Sequence, residues 1–281
     1  MRLAVTGASG FCGAAVARLA ASRGHDVVCL GRRPGPVGRH VRWDAARELP
    51  ELAGMDAVVH LAAAVGDPRP GRRAEAAFHA VNVAGTARLL RAAGGRPLVW
   101  VSSASVYRPG PYREPVREEH PADGQRGAYG RTKAAGERLA LAAGAVVLRP
   151  RAVYGDGDRH LLPRLRRVVR GGRAWLPGAD VPMSLTAVEN LAGACLAALE
   201  WPGAAYNIAD GRPYRRDEVF ARALGVPVRH VPAALARTMA VMSPTLTRYA
   251  VDQLTDGMVL ALDRAREQGY RPRRTLADYL V

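Results

Sequence analysis

Residues 3–20 read LAVTGASGFCGAAVARLA, and this stretch determines how the chain is expected to fold. A short apolar run, Arg2–Thr6, leads through Gly7, Gly10 and Gly13 into an alanine-rich segment. Glycines at this spacing permit a tight turn, let the backbone approach a pyrophosphate, and allow a helix to pack closely on a strand. The unpaired amides at the helix N-terminus would face the phosphates. The pattern therefore predicts a strand, a dinucleotide-binding loop and a helix.

The rest of the first half repeats this alternation of short apolar runs and segments of helical period. The predicted strands are Arg2–Thr6, Asp26–Leu30, Ala57–Leu61, Leu98–Ser102 and Ala145–Leu148, and the predicted helices are 11–23, 74–94 and 132–143. Strand, helix and strand at this spacing form βαβ units and a parallel sheet covered on both faces. We therefore predict an α/β fold with a doubly wound parallel sheet in residues 1–150.

The second half of the chain is less regular. Its predicted elements are a basic helix at 161–173, a helix at Val188–Glu200 and a strand at Ala205–Ile208. From about Asp210 onward, prolines interrupt the chain repeatedly. The pattern is too irregular for a second sheet domain. We expect residues 151–281 mainly to form a small C-terminal substrate-binding domain, with 184–210 returning to the first domain.

Composition limits the classes of partner. The chain has 281 residues, of which 48% are hydrophobic, and a formal net charge of +16. Its arginine pairs are scattered among acidic residues, whereas a nucleic-acid footprint clusters its charge and interleaves aromatic side chains. We therefore expect a small-molecule substrate and no nucleic acid. The basic segment at 161–173 is interpreted as a solvated helix face, with a docking surface for an anionic substrate handle or carrier as the alternative.

The cysteines and the apolar runs indicate the compartment. Cys12, Cys29 and Cys195 are isolated, without a CxxC spacing, which is typical of reduced thiols in a cytosolic protein. The N-terminus has glycines where a signal peptide needs an apolar core. The longest uncharged apolar run, Leu139–Leu148, is about half as long as a bilayer span. We expect a cytoplasmic protein without stable membrane insertion, and the histidine spacing predicts no metal site.

The residues after the second predicted strand bear on the choice of cofactor. An acidic residue there would bind the ribose 2′-hydroxyl of NAD, but this chain has Gly31, Arg32 and Arg33. The glycine leaves room for a 2′-phosphate, and the guanidinium groups can donate paired hydrogen bonds to it. We therefore predict NADP(H) in preference to NAD(H).

Lys133 is the only lysine among 41 basic residues. Where arginine has not replaced lysine, the compact ammonium group matters for geometry or for proton chemistry. Tyr129 precedes Lys133 by four residues, so the two side chains lie on one helix face. A free phenol has a pKa of about 10, which a neighbouring ammonium group lowers by about 1–3 units. Tyr129 can then exchange a proton with a carbonyl or alcohol oxygen while a hydride passes to or from a nicotinamide.

Ser103 follows an apolar strand in the sequence VWVSSASVY and can hydrogen-bond the same substrate oxygen. The next segment, 104–128, is rich in proline, glycine and charge. It is predicted to be a long loop over the carboxyl ends of the strands, where doubly wound folds place their sites. We predict Ser103, Tyr129 and Lys133 to be the catalytic residues.

Several motifs together resemble the extended short-chain dehydrogenase/reductase family, the NAD(P)-dependent epimerase/dehydratases. These motifs are TGASGFCG, HLAA, VNVAGT, VSSASVY, YGRTK followed by Glu137, LRPRAVYGDGD and YNIADG. The resemblance implies a Rossmann-type first domain, a possible homodimer through helices 74–94 and 132–143, and the family's catalytic Ser, Tyr and Lys at the three positions above. With it, the expected cofactor contacts are Gly7, Gly10, Phe11, Cys12, Gly13, Arg32, Arg33, Asp44 (beside the adenine amine), Leu61, Ala62, Ala63, Asn82, Tyr129, Lys133, Pro150 and Val153.

Within this family the later motifs resemble the 3β-hydroxysteroid dehydrogenase / sterol-4-carboxylate dehydrogenase-like branch. Nucleotide-sugar epimerases usually carry an arginine just before the segment written here as MSLTAVEN, and 181–184 offer none. The resemblance therefore implies a ketone/alcohol oxidoreductase acting on a fairly apolar substrate, such as a steroid-like ketone or a β-keto acid or thioester. The apolar segment Val231–Met242 would line the pocket or, as a weaker alternative, lie against a membrane.

Two other functions stay open at this point. The first is a nucleotide-sugar reductase or epimerase on the same fold. A dehydratase is disfavoured, because Ala104 and Ser105 stand where that class has an acidic pair. The second is a non-catalytic NADP-sensing regulator, although such proteins tend to lose the Tyr/Lys pair that is kept here.

Overall fold

The computed structural model describes residues 1–66, 71–158, 165–166, 168–242 and 248–279. The strands are β1 (Arg2–Thr6), β2 (Asp26–Gly31), β3 (Arg39–Arg42), β4 (Ala57–His60), β5 (Leu98–Val101), β6 (Val146–Pro150), β7 (Val153–Tyr154), β8 (Val169–Arg170), β9 (Arg173–Pro177), β10 (Pro182–Met183), β11 (Thr186–Ala187), β12 (Ala205–Ile208), β13 (Tyr214–Arg215) and β14 (Val228–Val231). The α-helices are α1 (Phe11–Ser22), α2 (Arg72–His79), α3 (Thr86–Ala93), α4 (Ala128–Ala142), α5 (Val188–Ala197), α6 (Arg216–Leu224), α7 (Ala233–Met242), α8 (Arg248–Thr255) and α9 (Asp263–Glu267).

The central sheet has seven strands in the order β12-β6-β5-β4-β1-β2-β3, and all its pairs are parallel. The order β3-β2-β1-β4-β5-β6 is that of a Rossmann-type doubly wound fold, whose direction of winding reverses between β1 and β4. Strands β4, β5 and β6 are buried along their whole length, because helices cover both faces of the sheet. The predicted α/β fold is confirmed.

The predicted elements of the first half are present with shifted boundaries. The strand β3 was not predicted, because its sequence RHVR is mostly charged and lies exposed at the sheet edge. Helix α4 begins at Ala128, four residues before the predicted start at 132. The predicted helix at 74–94 is α2 and α3 joined by a π-helical segment, Ala80–Gly85.

The second half contributes to the main sheet and forms smaller sheets of its own. Strand β12 pairs with β6, and α5 packs against α1. Strands β14, β9 and β8 form a separate three-stranded sheet, which the irregular sequence pattern did not predict. Of the predicted basic helix at 161–173, residues 161–164 and 167 lie outside the described residues. The prediction is wrong for 169–173, where Gly171 and Gly172 adopt left-handed φ angles of +55° and +68° and turn the chain from β8 into β9.

Several polar contacts attach the predicted loop at 104–128 to the second half, and two of them involve buried side chains of the second half. The Asn207 side chain of β12 donates hydrogen bonds to the carbonyl oxygens of Val116 (2.9 Å) and Ala261 (3.1 Å). The buried carboxylate of Asp252 on α8 accepts hydrogen bonds from Arg126, just before α4, and from Arg237 on α7. The start of α4 is therefore held by charge pairing to the C-terminal helices.

Among the helices that the structure describes, none has the length and apolarity needed to cross a membrane.

Two glycine substitutions in helices packed on each other should have opposite effects. A Cβ atom at Gly13 in α1 would lie 2.3 Å from the Gly7 carbonyl oxygen, whereas a Cβ at Gly193 in α5 would meet nothing within 4 Å. We expect Gly13→Ala to lower the free energy of unfolding by about 1–3 kcal/mol through overpacking. Gly193→Ala should raise it by about 0.5–1 kcal/mol because alanine is the better helix former. Urea unfolding of both variants tests this, and equal effects would contradict it.

Candidate active site

The glycine loop between β1 and α1 has the geometry of a phosphate cradle. Gly7 takes a left-handed φ of +70°, and its carbonyl oxygen accepts a hydrogen bond from the Gly10 amide at 2.9 Å. Gly10, the N-cap of α1, has no side chain that could accept a hydrogen bond from the amides of the first turn. A dinucleotide pyrophosphate fits this arrangement, because such amides and the helix dipole favour an anion.

Thr6 joins this loop to the segment that follows β4. Its hydroxyl oxygen accepts hydrogen bonds from the amides of Leu61 and Ala62, both at 3.1 Å. The same hydroxyl lies 2.8 Å from His60 Nδ1. Because the oxygen already accepts twice, its proton goes to Nδ1, and the imidazole carries its own proton on Nε2. Thr6 thus holds the predicted cofactor segment 61–63 against the glycine loop, a role that the sequence motifs did not indicate.

His60 remains neutral at this position. The ring is fully buried between Trp43 and Trp100, with ring centroids 6.3 Å from each. Burial, and secondarily the Lys133 charge, lowers the pKa of His60 to about 3. The histidine is therefore an uncharged hydrogen-bond acceptor below the cofactor loop.

Asn82 supports the loop from behind. Its side-chain oxygen accepts a hydrogen bond from the Ala64 amide (2.8 Å), and its side-chain nitrogen donates to the Ala64 carbonyl (3.1 Å) and the Thr132 hydroxyl (3.0 Å). These bonds join the segment after β4 to α4. The structure thus places Asn82 as a buried brace between two parts of the site.

The predicted determinants of the cofactor's ribose end lie beyond β2 and β3. Arg32 and Arg33 are exposed and make no ion pair within the described part of the chain. Asp44 forms a turn in which its carboxylate accepts a hydrogen bond from the Ala46 amide at 3.0 Å. Both guanidinium groups are accordingly accessible to an anionic ligand.

The three predicted catalytic residues come from two packed elements. Ser103 follows β5, and its hydroxyl accepts a hydrogen bond from the Ser105 amide at 3.2 Å. Tyr129 is in the first turn of α4 and Lys133 lies one turn later. The helix approaches the serine segment closely because residue 130 is glycine: a Cβ there would lie 2.8 Å from the Ser105 carbonyl oxygen.

Lys133 is almost fully buried. Its ammonium group donates a hydrogen bond to the Val101 carbonyl at 2.7 Å and lies 3.6 Å from the centroid of the Trp100 ring. Burial lowers the pKa of Lys133 to about 7, against the opposing effect of the Glu137 carboxylate. The charge on this amine therefore depends on pH near neutrality.

The turn between β6 and β7 carries the predicted contacts Pro150 and Val153. Ala152 between them adopts a left-handed φ of +44°, which costs a non-glycine residue about 1–2 kcal/mol. Thr186 holds this turn, since its hydroxyl contacts the carbonyl oxygens of Arg151 (2.8 Å) and Ile208 (3.0 Å). Strain of this kind is typical of ligand-binding segments.

The sequence reasoning did not assign roles to Thr6, Trp100, Ser102 or Arg149. Trp100 and Arg149 carry a usable signal, because each is a bulky or charged residue inside a buried strand of small apolar side chains. Thr6 and Ser102 are polar residues at strand ends, a feature too common to be selective. Among the described residues, no group of three or more His, Cys, Asp or Glu side chains could hold a metal ion.

The fold and this site define an NAD(P)-dependent enzyme of the extended short-chain dehydrogenase/reductase class. The chain belongs to the NAD dependent epimerase/dehydratase family, whose sequence model matches residues 3–209.

Individual relatives align over nearly the whole chain. It is 31% identical to 2-alkyl-3-oxoalkanoate reductase of Stenotrophomonas maltophilia, covering 100% of this chain and 97% of the relative. It is 30% identical to 3 beta-hydroxysteroid dehydrogenase/Delta 5-->4-isomerase of Mycobacterium tuberculosis, covering 100% and 88%. Among solved structures it is similar to MoeE5 in complex with UDP-glucose and NAD, with a TM-score of 0.78, 26% identity and coverage of 100% and 96%.

The buried His60 should make the protein less stable in acid. In the unfolded chain a histidine binds a proton near pH 6.5, whereas in the folded protein His60 does so only near pH 3. The unfolded state thus binds more protons between these values. The stability that His60 contributes is present above pH 6.5 and falls with pH by up to about 1.4 kcal/mol per unit.

We expect His60→Asn, whose side-chain oxygen can replace Nδ1 as acceptor, to flatten this dependence. Urea unfolding of the unaltered protein and of His60→Asn between pH 7 and pH 4 measures how steeply the free energy of unfolding changes with pH in each. The comparison is between these slopes, so the two free energies themselves can differ. Parallel slopes would show that His60 does not carry this acid sensitivity.

Proposed function

We propose that this chain is an NADP(H)-dependent oxidoreductase that interconverts a ketone and a secondary alcohol on a fairly apolar substrate. The observation that carries the proposal is the close packing of α4, which carries Tyr129 and Lys133, against the segment after β5 that contains Ser103. This contact lies at the carboxyl edge of the sheet, the same edge as the glycine loop. Ligands of doubly wound folds bind at this edge.

Each of the three residues has a separate task in the proposed reaction. The Ser103 hydroxyl donates a hydrogen bond to the substrate oxygen and orients it. The Tyr129 phenol gives its proton to that oxygen in the reductive direction and takes it back in the oxidative direction. The Lys133 ammonium group favours the phenolate and thereby makes the proton transfer easier. The nicotinamide cofactor, when bound, supplies or accepts the hydride.

The cofactor preference rests on the ribose end of the site. Arg32 and Arg33 are exposed directly after β2, where an acidic side chain would select the 2′-hydroxyl of NAD. Two accessible guanidinium groups can bind a 2′-phosphate instead. We therefore propose NADP(H) as the preferred cofactor.

The substrate class is proposed from the relatives and from the pocket-forming part of the chain. The two aligned enzymes are named for oxoalkanoates and hydroxysteroids, both of which place the reacting oxygen on a largely apolar skeleton. The strand β10 and its neighbours, 181–184, provide no arginine for a diphosphate. We propose that residues 1–150 with 184–210 bind the cofactor and that 151–281 mainly form the substrate pocket.

A nucleotide-sugar reductase or epimerase is the second candidate. The similarity to MoeE5, whose structure contains UDP-glucose, favours it. The two candidates share the catalytic residues and differ in the substrate that the second half of the chain recognises.

Turnover of two substrate panels should separate these functions. We expect NADPH oxidation with β-keto acids, their thioesters or ketosteroids, and none with 4-keto nucleotide sugars. Tyr129→Phe should lower kcat by about 100-fold or more because it removes the general acid. Tyr206→Phe is the matched control, since it removes a buried phenol hydroxyl that only donates to the Pro202 carbonyl. Turnover confined to the sugar panel would establish the second candidate, and full activity of Tyr129→Phe would refute the mechanism.

The arginine pair should discriminate between the two cofactors. We expect Arg32→Ser/Arg33→Ser to weaken NADPH binding by about 10- to 100-fold, as loss of charge-assisted hydrogen bonds would, and to leave NADH binding nearly unchanged. Arg39→Ser on the adjacent exposed strand is a control for net charge. Titration of cofactor fluorescence gives both dissociation constants. Equal weakening of NADPH and NADH would mean that the pair does not recognise the 2′-phosphate.

A further inference from the structure

Behind the predicted catalytic residues lies a buried ion pair that the proposed reaction does not use. Glu137 is on α4, one turn after Lys133, and Arg149 is the fourth of the five residues of β6. Their side chains are 3% and 5% exposed. Burying such a pair is costly, and replacing it with apolar side chains is often neutral or stabilising. A buried pair beside a proposed catalytic lysine therefore calls for an explanation other than stability.

Both oxygens of the Glu137 carboxylate are engaged. Oε1 accepts two hydrogen bonds from Arg149, at 2.5 Å from Nη2 and 3.1 Å from Nε. Oε2 accepts a hydrogen bond from the Ser102 hydroxyl. The carboxylate is thus held in one orientation between β5 and β6.

Arg149 is fixed in turn from its other side. Its Nη1 donates to the Tyr107 hydroxyl at 2.9 Å and to the Glu118 carbonyl at 2.8 Å. The Tyr107 hydroxyl donates to the Asn207 side-chain oxygen at 2.6 Å. The ion pair is therefore one part of a satisfied network that reaches from α4 through β6 and the 104–128 loop to β12.

This network acts on the backbone immediately before Ser103. Val101 is bonded to α4 through its carbonyl oxygen and the Lys133 ammonium group, and Ser102 through its hydroxyl and Glu137. Two consecutive residues are thus held by the helix that carries Tyr129. These two bonds fix the backbone that leads into Ser103 relative to α4.

Glu137 also supplies the negative charge nearest to the lysine along α4. From β5, the Trp100 ring and the Val101 carbonyl face the ammonium group, and from β4 the neutral His60 stacks with that ring. From β6, Arg149 contacts the Glu137 carboxylate. Burial lowers the pKa of Lys133, and the Glu137 carboxylate is the charge that raises it.

We propose that Glu137 is a positioning residue, whose carboxylate keeps the buried Lys133 amine cationic and, through Ser102, holds Ser103 in register with Tyr129. The inference rests on the proposed function for the roles of Ser103, Tyr129 and Lys133. Its electrostatic part concerns the protein alone and is testable without substrate or cofactor.

The composition of the chain makes a direct measurement possible. Because Lys133 is the only lysine, protein labelled with [13Cε]lysine gives one lysine signal, whose chemical shift follows the charge of this amine. We expect Glu137→Gln to move the titration midpoint to a pH about 1–3 units lower, as removal of an adjacent opposite charge does. Ser102→Ala, which removes the hydrogen bond but no charge, should leave the midpoint unchanged. An unchanged midpoint in folded Glu137→Gln would overturn the proposal.

Glu137→Gln leaves the Arg149 charge buried without its partner and can prevent folding. The double variant Glu137→Gln/Arg149→Met removes both charges at similar side-chain volume. It should displace the Lys133 midpoint in the same direction, but by less than Glu137→Gln, because the repulsion by Arg149 is removed as well. Glu137→Asp keeps the charge and serves as the conservative rescue, with a midpoint near that of the unaltered protein. A double variant that titrates like the unaltered protein would also overturn the proposal.

The enzymatic readout follows from the same change. A lysine with a lower pKa loses its charge at lower pH, so the basic limb of the pH profile of kcat should move to lower pH in Glu137→Gln. Ser102→Ala should lower kcat about 10-fold through misplacement of Ser103, without moving this limb and with little change in KM. If no ketone is turned over, the proposed function fails, whereas the lysine titration still decides the role of Glu137.

Discussion

The close packing of α4 against the segment that follows β5 and against the helical segment Ala80–Gly85 is the constraint on which the site depends. Two glycines make it possible. A Cβ at Gly136 would lie 2.2 Å from the Asn82 carbonyl oxygen, and one at Gly130 would lie 2.8 Å from the Ser105 carbonyl oxygen. Because these contacts are with backbone atoms, they cannot be relieved by a side-chain rotation. Without this approach, the helix that carries Tyr129 and Lys133 could not pack against the segment that contains Ser103.

The glycine loop between β1 and α1 depends on equally close backbone packing, in the part of the site that faces the cofactor phosphates. Gly13 lets α1 approach the Gly7 carbonyl, and Gly7 itself faces the Ala62 amide, 2.8 Å from where its Cβ would be. The segment after β4 is then fixed on one side by Thr6 and on the other by Asn82, which also bonds to Thr132 on α4. The glycine loop, the segment after β4 and α4 are therefore parts of one hydrogen-bonded assembly.

The sequence could predict the sheet, and could nominate the proposed catalytic residues, because both leave local signals. Apolar runs mark buried parallel strands, and a Tyr/Lys pair at helical spacing marks a helix face. Strand β3 left no such signal, since an exposed edge strand can be charged. The hairpin from β8 to β9 was predicted as a helix because Leu161, Leu165, Val168 and Val169 are spaced as an apolar helical stripe, and this period outweighed the turn signal of the two glycines after them. The network of Glu137, Arg149 and Ser102 joins residues 35 and 12 positions apart, and only the folded chain brings them together.

The lone lysine gains a physical explanation from its surroundings. The Lys133 ammonium group lies 3.6 Å from the centroid of the Trp100 ring and 2.7 Å from the Val101 carbonyl oxygen. The guanidinium group of an arginine is larger than the group that occupies this space. It would also stay charged throughout the pH range in which this buried amine can titrate, because a guanidinium group does not lose its proton there. The chain has arginine at every other basic position apart from its histidines. At position 133 the charge is buried and, by this proposal, adjustable, and an ammonium group meets both conditions where a guanidinium group does not. The Glu137 carboxylate, one turn further along α4, then sets the pKa of the amine.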